Sequence, residues 1–198
     1  MVEAIDPEIV ERLLEVLDKP YKYAKLGILD LESKSRGYSL SQILQLRDAL
    51  DHIAIALVDN RGEKRKQLKS LDLAEDHLRR ASIESVEILV TELFYSVLRT
   101  LEKPRIYYRI ACFSLPEKDK LEEHLGRIQY HMLEGRRLKG RIEDWELCLT
   151  EFRKAYDEAK TLKDQLPDRN EAKYRFIGIL GILISIIAGA VSLVASMI

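Results

Sequence analysis

Cysteine is scarce in this chain. Cys112 and Cys148 are the two among 198 residues, and no C-x-x-C spacing joins them. That excludes a disulfide framework and a cysteine-ligated zinc ribbon. Both are expected as small buried apolar side chains in a reducing compartment. There is no Walker A loop, no G-x-G-x-x-G, no G-x-S-x-G and no H-E-x-x-H, so nucleotide hydrolysis, dinucleotide chemistry, serine hydrolysis and a zincin centre have no footing. No N-x-[ST] sequon occurs, and the start, Met-Val-Glu-Ala-Ile-Asp, lacks the basic and apolar regions of a secretory signal. A formal net charge of −1 gives no global attraction to nucleic acid or anionic lipid. No cofactor or metal is expected, and an enzyme is less expected than a binding or structural protein.

Charge is also missing from one end. The 32 Lys and Arg and 33 Asp and Glu all lie at or before Arg175, which leaves 23 uncharged residues from Phe176 to Ile198. At ~1.5 Å per residue these span roughly 34 Å, enough for a ~30 Å hydrocarbon core. Lys173 and Arg175 precede the span, with Lys160, Lys163 and Arg169 further upstream, while Tyr174 and Phe176 suit an interface. The reading is a single-pass, tail-anchored protein of the inner (cytoplasmic) membrane with its N-terminal body in the cytoplasm. Within the tail, Gly178, Gly181, Ser185, Gly189, Ser192 and Ser196 recur at helical spacing and form one stripe. Small residues permit close helix contact in lipid, so this stripe is expected to drive homo-oligomerisation.

The body reads as all-α. Asp6 before Pro7 and Glu8 is a helix start, and Ser39–Gln42, Ser114–Glu117 and Asp168–Glu171 fit capping boxes. Breaks are expected at Lys19-Pro20, Arg36-Gly37, Asn60-Arg61-Gly62, Lys103-Pro104 and Leu166-Pro167. These bound helices at about 7–18, 21–34, 39–58, 69–103 and 115–165, with 105–113 as a helical connector. The third helix shows an apolar stripe of Ile43, Leu46, Leu50, Ile53 and Leu57; the fourth shows Leu71, Ala74, Leu78, Ala81, Val86, Leu89, Leu93 and Val97. In the last soluble segment a heptad-like seam runs Leu121, Leu125, Ile128, Met132, Gly135, slips, and resumes at Leu138, Ile142, Trp145, Leu149, Phe152, Tyr156 and Ala159. The pattern reads first as one continuous or kinked helix about 75 Å long. The alternative is a hairpin turning at Gly135 and Gly140. The expected organisation is a helical bundle over 1–114, the long helix or hairpin over 115–167, and a juxtamembrane segment with the transmembrane helix over 168–198. A protein partner through residues 121–159 is one use of the seam.

Few residues carry chemistry. Arg47-Asp-Ala-Leu-Asp-His52 resembles the R-x4-6-H signature of HEPN domains, helical bundles that often dimerise and in many members cut RNA. The resemblance implies Arg47 and His52 as catalytic residues completed by a second subunit. Helical geometry puts Arg47 about 80° from the apolar stripe and His52 roughly opposite it, which equally suits a surface Asp48–His52 pair and an Arg47–Asp51 salt bridge. His124 and His131 share a helix face with Glu134 nearby, but the E-x-x-H pattern of di-iron bundles is lacking. Arg61, Lys64, Arg65, Lys66 and Lys69 gather near Gly62, with His77, Arg79 and Arg80 further on, as a candidate site for a phosphate, a nucleotide, RNA or a headgroup. A second cluster, Arg136, Arg137, Lys139 and Arg141, surrounds the slip in the seam.

The favoured expectation is a cytosolic helical sensor or scaffold that oligomerises in the membrane. Its architecture is similar to that of small prokaryotic membrane-anchored antiviral effectors, which implies a pore-forming or membrane-disrupting output. A membrane-tethered HEPN-type ribonuclease and a passive anchor that recruits a protein partner are the alternatives.

Overall fold

A computed structural model describes residues 5–35, 40–102, 117–166 and 169–195. The connector at 105–113, the capping residues Ser39, Ser114 and Asp168, Cys112, Pro167 and Ser196 lie outside these. Among the described residues the chain is all-helical, with no strand. Six α-helices follow in order: α1 Pro7–Ser35, α2 Leu40–Ala54, α3 Lys64–Leu101, α4 Lys118–Leu138, α5 Trp145–Gln165 and α6 Arg169–Ala195.

α3 is the axis of the body, 38 residues and therefore roughly 57 Å long. Its first half carries α1 and α2 over a core of Ile9, Val16, Ala24, Ala49, Ala56, Leu71, Ala74, Leu78 and Ala81. Its second half carries α4 and α5 over a bulkier core that includes Val90, Phe94, Val97, Ile128, Met132, Leu149, Phe152 and Leu162. The expected α3 stripe is confirmed at Leu71, Ala74, Leu78, Ala81, Leu89 and Val97, all buried. Side-chain contacts fix the directions. Arg12 near the start of α1 bonds Asp72 at 2.7 Å, while Gly27 further along α1 lies against Ser85, so α1 and α3 run parallel. Ser41 donates to Glu84 at 2.7 Å while Gln67 donates to the Ala56 carbonyl at 2.9 Å, so α2 runs antiparallel to α3.

Three expectations change. First, Pro20 does not end a helix: α1 runs through it. An interior proline removes one helical hydrogen bond and crowds the preceding turn, at about 3 kcal/mol. The buried line Ile9, Val16, Ala24 and Leu31 continues on both sides of Pro20, and its packing on α3 holds the two halves in register. Second, α2 is rotated from its apolar stripe. Gln42, Ala49 and Ala56 are buried and Leu46, Ile53 and Leu57 pack beside them, whereas Ile43 is 45 % and Leu50 63 % exposed. The small alanines let α2 approach α3 closely, and that contact outweighs the bulk of the leucines. α2 then widens into a π turn, Ile55–Asp59, closed by Asn60 N–H to the Ile55 carbonyl at 2.9 Å. Gly62, at φ 82°, takes the left-handed position of the turn into α3.

Third, the seam is not one continuous helix. α4 and α5 form a hairpin that turns at 138–141, with Arg141 N–H bonded to the Leu138 carbonyl at 3.0 Å and a 3-10 turn over Ile142–Asp144. Gly135 is inside α4 rather than in the turn, and its role is to admit a ring. A Cβ there would stand 3.0 Å from three carbons of the Phe152 ring. The cap at the start of α1 is as expected: Pro7 is the first helical residue and Glu8 N–H bonds the Asp6 carboxylate at 2.9 Å. Leu166 ends α5 in an extended conformation, φ −90° and ψ 142°, as a residue before proline should.

Candidate functional sites: the apolar tail helix and the polar clusters of the body

α6 is the most distinctive element. Its stretch Lys173–Ala190 has mean hydropathy 1.6, and none of it is buried. A long apolar helix in a water-soluble fold is ordinarily interior; this one is left uncovered by the body. It is long and apolar enough to cross a membrane. Gly178, Gly181, Ser185 and Gly189 share one of its faces, and Ser192 extends their line along the helix. A Cβ at Gly178, Gly181 or Gly189 would meet nothing within 4 Å, so among the described residues no contact calls for glycine there. The Ser185 hydroxyl donates to the Gly181 carbonyl at 2.9 Å, which satisfies it without water. Ile182, Leu183, Ile186 and Ile187 are each at least half exposed. At the entry, Arg175 pairs with Glu171 at 2.6 Å.

Arg47 and His52 take different partners, and Asp48 feels the charge of both. Arg47 is bound by the adjacent Asp48 at 2.6 Å rather than by Asp51. His52 is half-buried and stacks on His77 of α3, with centroids 5.2 Å apart and planes 21° from parallel. His52 is turned toward α3 because the whole helix is rotated. His77 in turn bonds Gln45 at 2.7 Å. Burial holds His77 below its ordinary pKa, the neighbouring His52 adds to this, and Asp48 opposes it.

The loop cations are largely neutralised within the chain. Lys64 binds Asp6 at 3.2 Å and also Glu8, and Lys66 binds Glu63 at 2.6 Å. Arg61, Gly62 and Lys64 line a small cavity of about 180 Å³ that Asp6 also enters. Arg65 lies on the first turn of α3. Arg79 and Arg80 do not join that cavity. They lie some 22 Å further along α3, where Arg79 pairs with Glu75 at 2.6 Å and sits 5.4 Å from the Trp145 ring centre. Arg80 pairs with Asp76 at 2.5 Å.

The second cluster docks the hairpin. Arg136 and Lys139 reach Glu87 of α3 at 3.0 and 2.9 Å. Burial raises the Glu87 pKa, but these two cations outweigh it and hold it below the usual value. Arg137 pairs with Glu134 at 2.9 Å and Arg141 with Asp144 at 3.5 Å. The heptad seam itself is largely consumed inside the chain, with Leu149, Phe152 and Ala159 buried.

His124 and His131 are half-buried and tie the hairpin together, through Glu158 at 2.6 Å and Glu151 at 2.7 Å. Sequence spacing placed them together but could not show the carboxylates facing them across the hairpin. Among the described residues no three His, Cys, Asp or Glu side chains gather to hold a metal. The Cys148 thiol donates to the Gly135 carbonyl at 3.1 Å, and burial pushes its pKa up to about 11, so it is no nucleophile. No protein-family model, no curated protein and no solved structure matches this chain. Its class therefore rests on its own architecture: an all-helical bundle followed by one helix able to span a membrane.

Proposed function

We propose that the chain is a membrane-anchored helical scaffold whose tail helices associate through the face of Gly178, Gly181, Ser185 and Gly189. One observation carries the reading: α6 is apolar, uncovered, and glycine-lined where no contact among the described residues needs glycine. Lipid supplies little hydrophobic drive between helices, so close packing and interhelical hydrogen bonds must hold them together. The cationic flank of Lys173 and Arg175 supports a body on the cytoplasmic side of the inner membrane. The output is permeabilisation by the assembled tails, in the manner suggested by the similar architecture of small prokaryotic antiviral effectors. Ser185 and Ser192 are the polar groups available to line an opening.

The test is Gly181→Ile. Isoleucine favours insertion by roughly 0.3–0.6 kcal/mol, so the chain should remain in the membrane while neighbouring helices are pushed apart. Particle mass in detergent should fall toward the monomer, and leakage from reconstituted vesicles should drop. Leu183→Ile, on the other face, should change neither. A wild-type monomer, or unchanged mass in Gly181→Ile, overturns the proposal.

A further inference from the structure

A groove of about 600 Å³ lies between α3 and α5, at the end of the body from which α6 departs. That volume falls within the ~300–1,000 Å³ of small-ligand sites. Four cations line it: Lys34, Arg99, Lys160 and Lys163. They come from three helices whose C-terminal ends meet here. Two carboxylates, Glu92 and Asp164, line the same cavity. Elsewhere in the body the grouped cations mostly hold carboxylates, as Arg136 and Lys139 hold Glu87. Here the pairing is incomplete. Lys34 stands 3.3 Å from Asp30 and 4.8 Å from the centre of the Tyr156 ring. Arg99 gives its Nε–H to the Tyr95 carbonyl at 3.3 Å. Among the described residues, no carboxylate lies within ion-pair distance of Arg99, Lys160 or Lys163.

Position adds to charge. α5 ends at Gln165 and α6 begins at Arg169, so four residue steps of at most ~3.6 Å separate them. With helical rise included, Lys163 lies within about 25 Å of Lys173, where the apolar stretch begins. Lys34, Arg99 and Lys163 occupy the last turns of their helices. Part of their charge therefore offsets the partial negative charge of those ends. The remainder suits one phosphate group rather than a polyanion. Lysine and arginine donors are the usual partners of such a group.

We propose that this groove binds a phosphate-bearing anion, presented by a lipid headgroup when the chain is anchored. The lipid source rests on the anchoring proposed above; the anion site does not. A bound headgroup would fix the tilt of the body on the membrane and couple its docking to anionic lipid.

The test uses the full chain in neutral detergent, with thermal unfolding followed by the emission of Trp145, the single tryptophan. Short-chain phosphatidylglycerol, short-chain phosphatidylcholine and inorganic phosphate are titrated separately. Phosphatidylglycerol should raise the unfolding temperature. The variant Lys160→Gln/Lys163→Gln should weaken that apparent affinity about tenfold, the scale of a charge-assisted contact. Lys22→Gln/Lys25→Gln, an equal loss of charge on α1, should leave the response intact. Protection by phosphatidylglycerol alone identifies a lipid headgroup; equal protection by phosphate supports the site with a soluble ligand. Protection by phosphatidylcholine equal to that by phosphatidylglycerol, no protection of the wild type, or equal weakening in the two variants overturns the site. Alkaline extraction of vesicles separates the two proposals. A chain that is stripped off yet protected by phosphate keeps the site and loses the anchor, while a chain that stays and is not protected loses only the site.

Discussion

Replacing Gly135 with alanine tests the packing that makes the α4–α5 hairpin. The added methyl would stand 3.0 Å from Cε1, Cε2 and Cζ of Phe152, a side chain with no exposed surface. Carbon atoms prefer about 3.5–4.0 Å, so the ring or the helix must give way by roughly 0.5–1 Å. Overpacking of this kind costs about 1–3 kcal/mol. Alanine returns about 0.8–1.0 kcal/mol of helix propensity, which leaves a net loss near ~1 kcal/mol. Gly126 supplies the control: it lies on the same helix with nothing within 4 Å of a Cβ. Gly126→Ala should stabilise by about 0.8–1.0 kcal/mol. The difference between the two variants cancels propensity and isolates the ring contact at about 1–3 kcal/mol. Urea unfolding followed by Trp145 reads it, because that residue is 7 % exposed and within the same core. With a slope of ~2 kcal/mol/M, the two midpoints should differ by about 0.5–1.5 M. Phe152→Leu should cost less in the Gly135→Ala background than alone, by double-mutant coupling. Equal midpoints for the two alanine variants would refute the argument.

The other predictions concern ionisable groups. Glu87→Gln should destabilise the chain near neutral pH by about 1–3 kcal/mol, since two cations lose a charged acceptor. Because the folded-state pKa of Glu87 is depressed, its contribution exists above the ordinary value of 4.5 and disappears as pH falls through the folded value. The variant should accordingly show a weaker loss of stability with acid. His77 has the opposite charge type but the same pH direction. Its folded pKa lies below the ordinary 6.5, so stability is complete above that value and falls as pH drops through it toward the folded pKa. His77→Gln should reduce the slope of stability against pH in that interval, as measured by urea titration. Arg47→Ala and His52→Ala are expected to leave the purified protein as inactive toward RNA as the wild type; cleavage abolished by either substitution would establish the ribonuclease alternative.

Much of the helical body was legible because burial follows spacing. α3 shows it most clearly: Leu71, Ala74, Leu78, Ala81, Leu89 and Val97 are buried as their period predicts. α2 shows the limit. Leu46, Ile53 and Leu57 of its apolar face pack against the core, but Gln42, Ala49 and Ala56 are the buried line, because alanine allows an approach that Leu50 would block. That rotation moved His52 from the solvent side to a stack on His77, and a local spacing rule has no access to α3. The hairpin stood second to a continuous helix for a related reason. Gly135 marked the slip in the seam but is helical, since what it accommodates is the Phe152 ring, 17 positions later. Partners distant in sequence also decide the cationic clusters: Glu87 claims Arg136 and Lys139, while Lys160 and Lys163 are left facing a cavity with Arg99 and Lys34.

The helical glycines differ in what surrounds them. Gly135 is explained by a ring inside the chain, and Gly27 by Ser85, whose Cβ lies 3.0 Å from where its own would stand. Gly178, Gly181 and Gly189 have no such partner. Each costs the helix about 0.8–1.0 kcal/mol relative to alanine, and, as at Gly126, no packing among the described residues offsets that cost. What sets the three apart from Gly126 is that they recur along one face of an apolar, uncovered helix. In lipid the neighbour that small residues favour is another helix at close range, and in the function proposed above that neighbour is a second copy of α6.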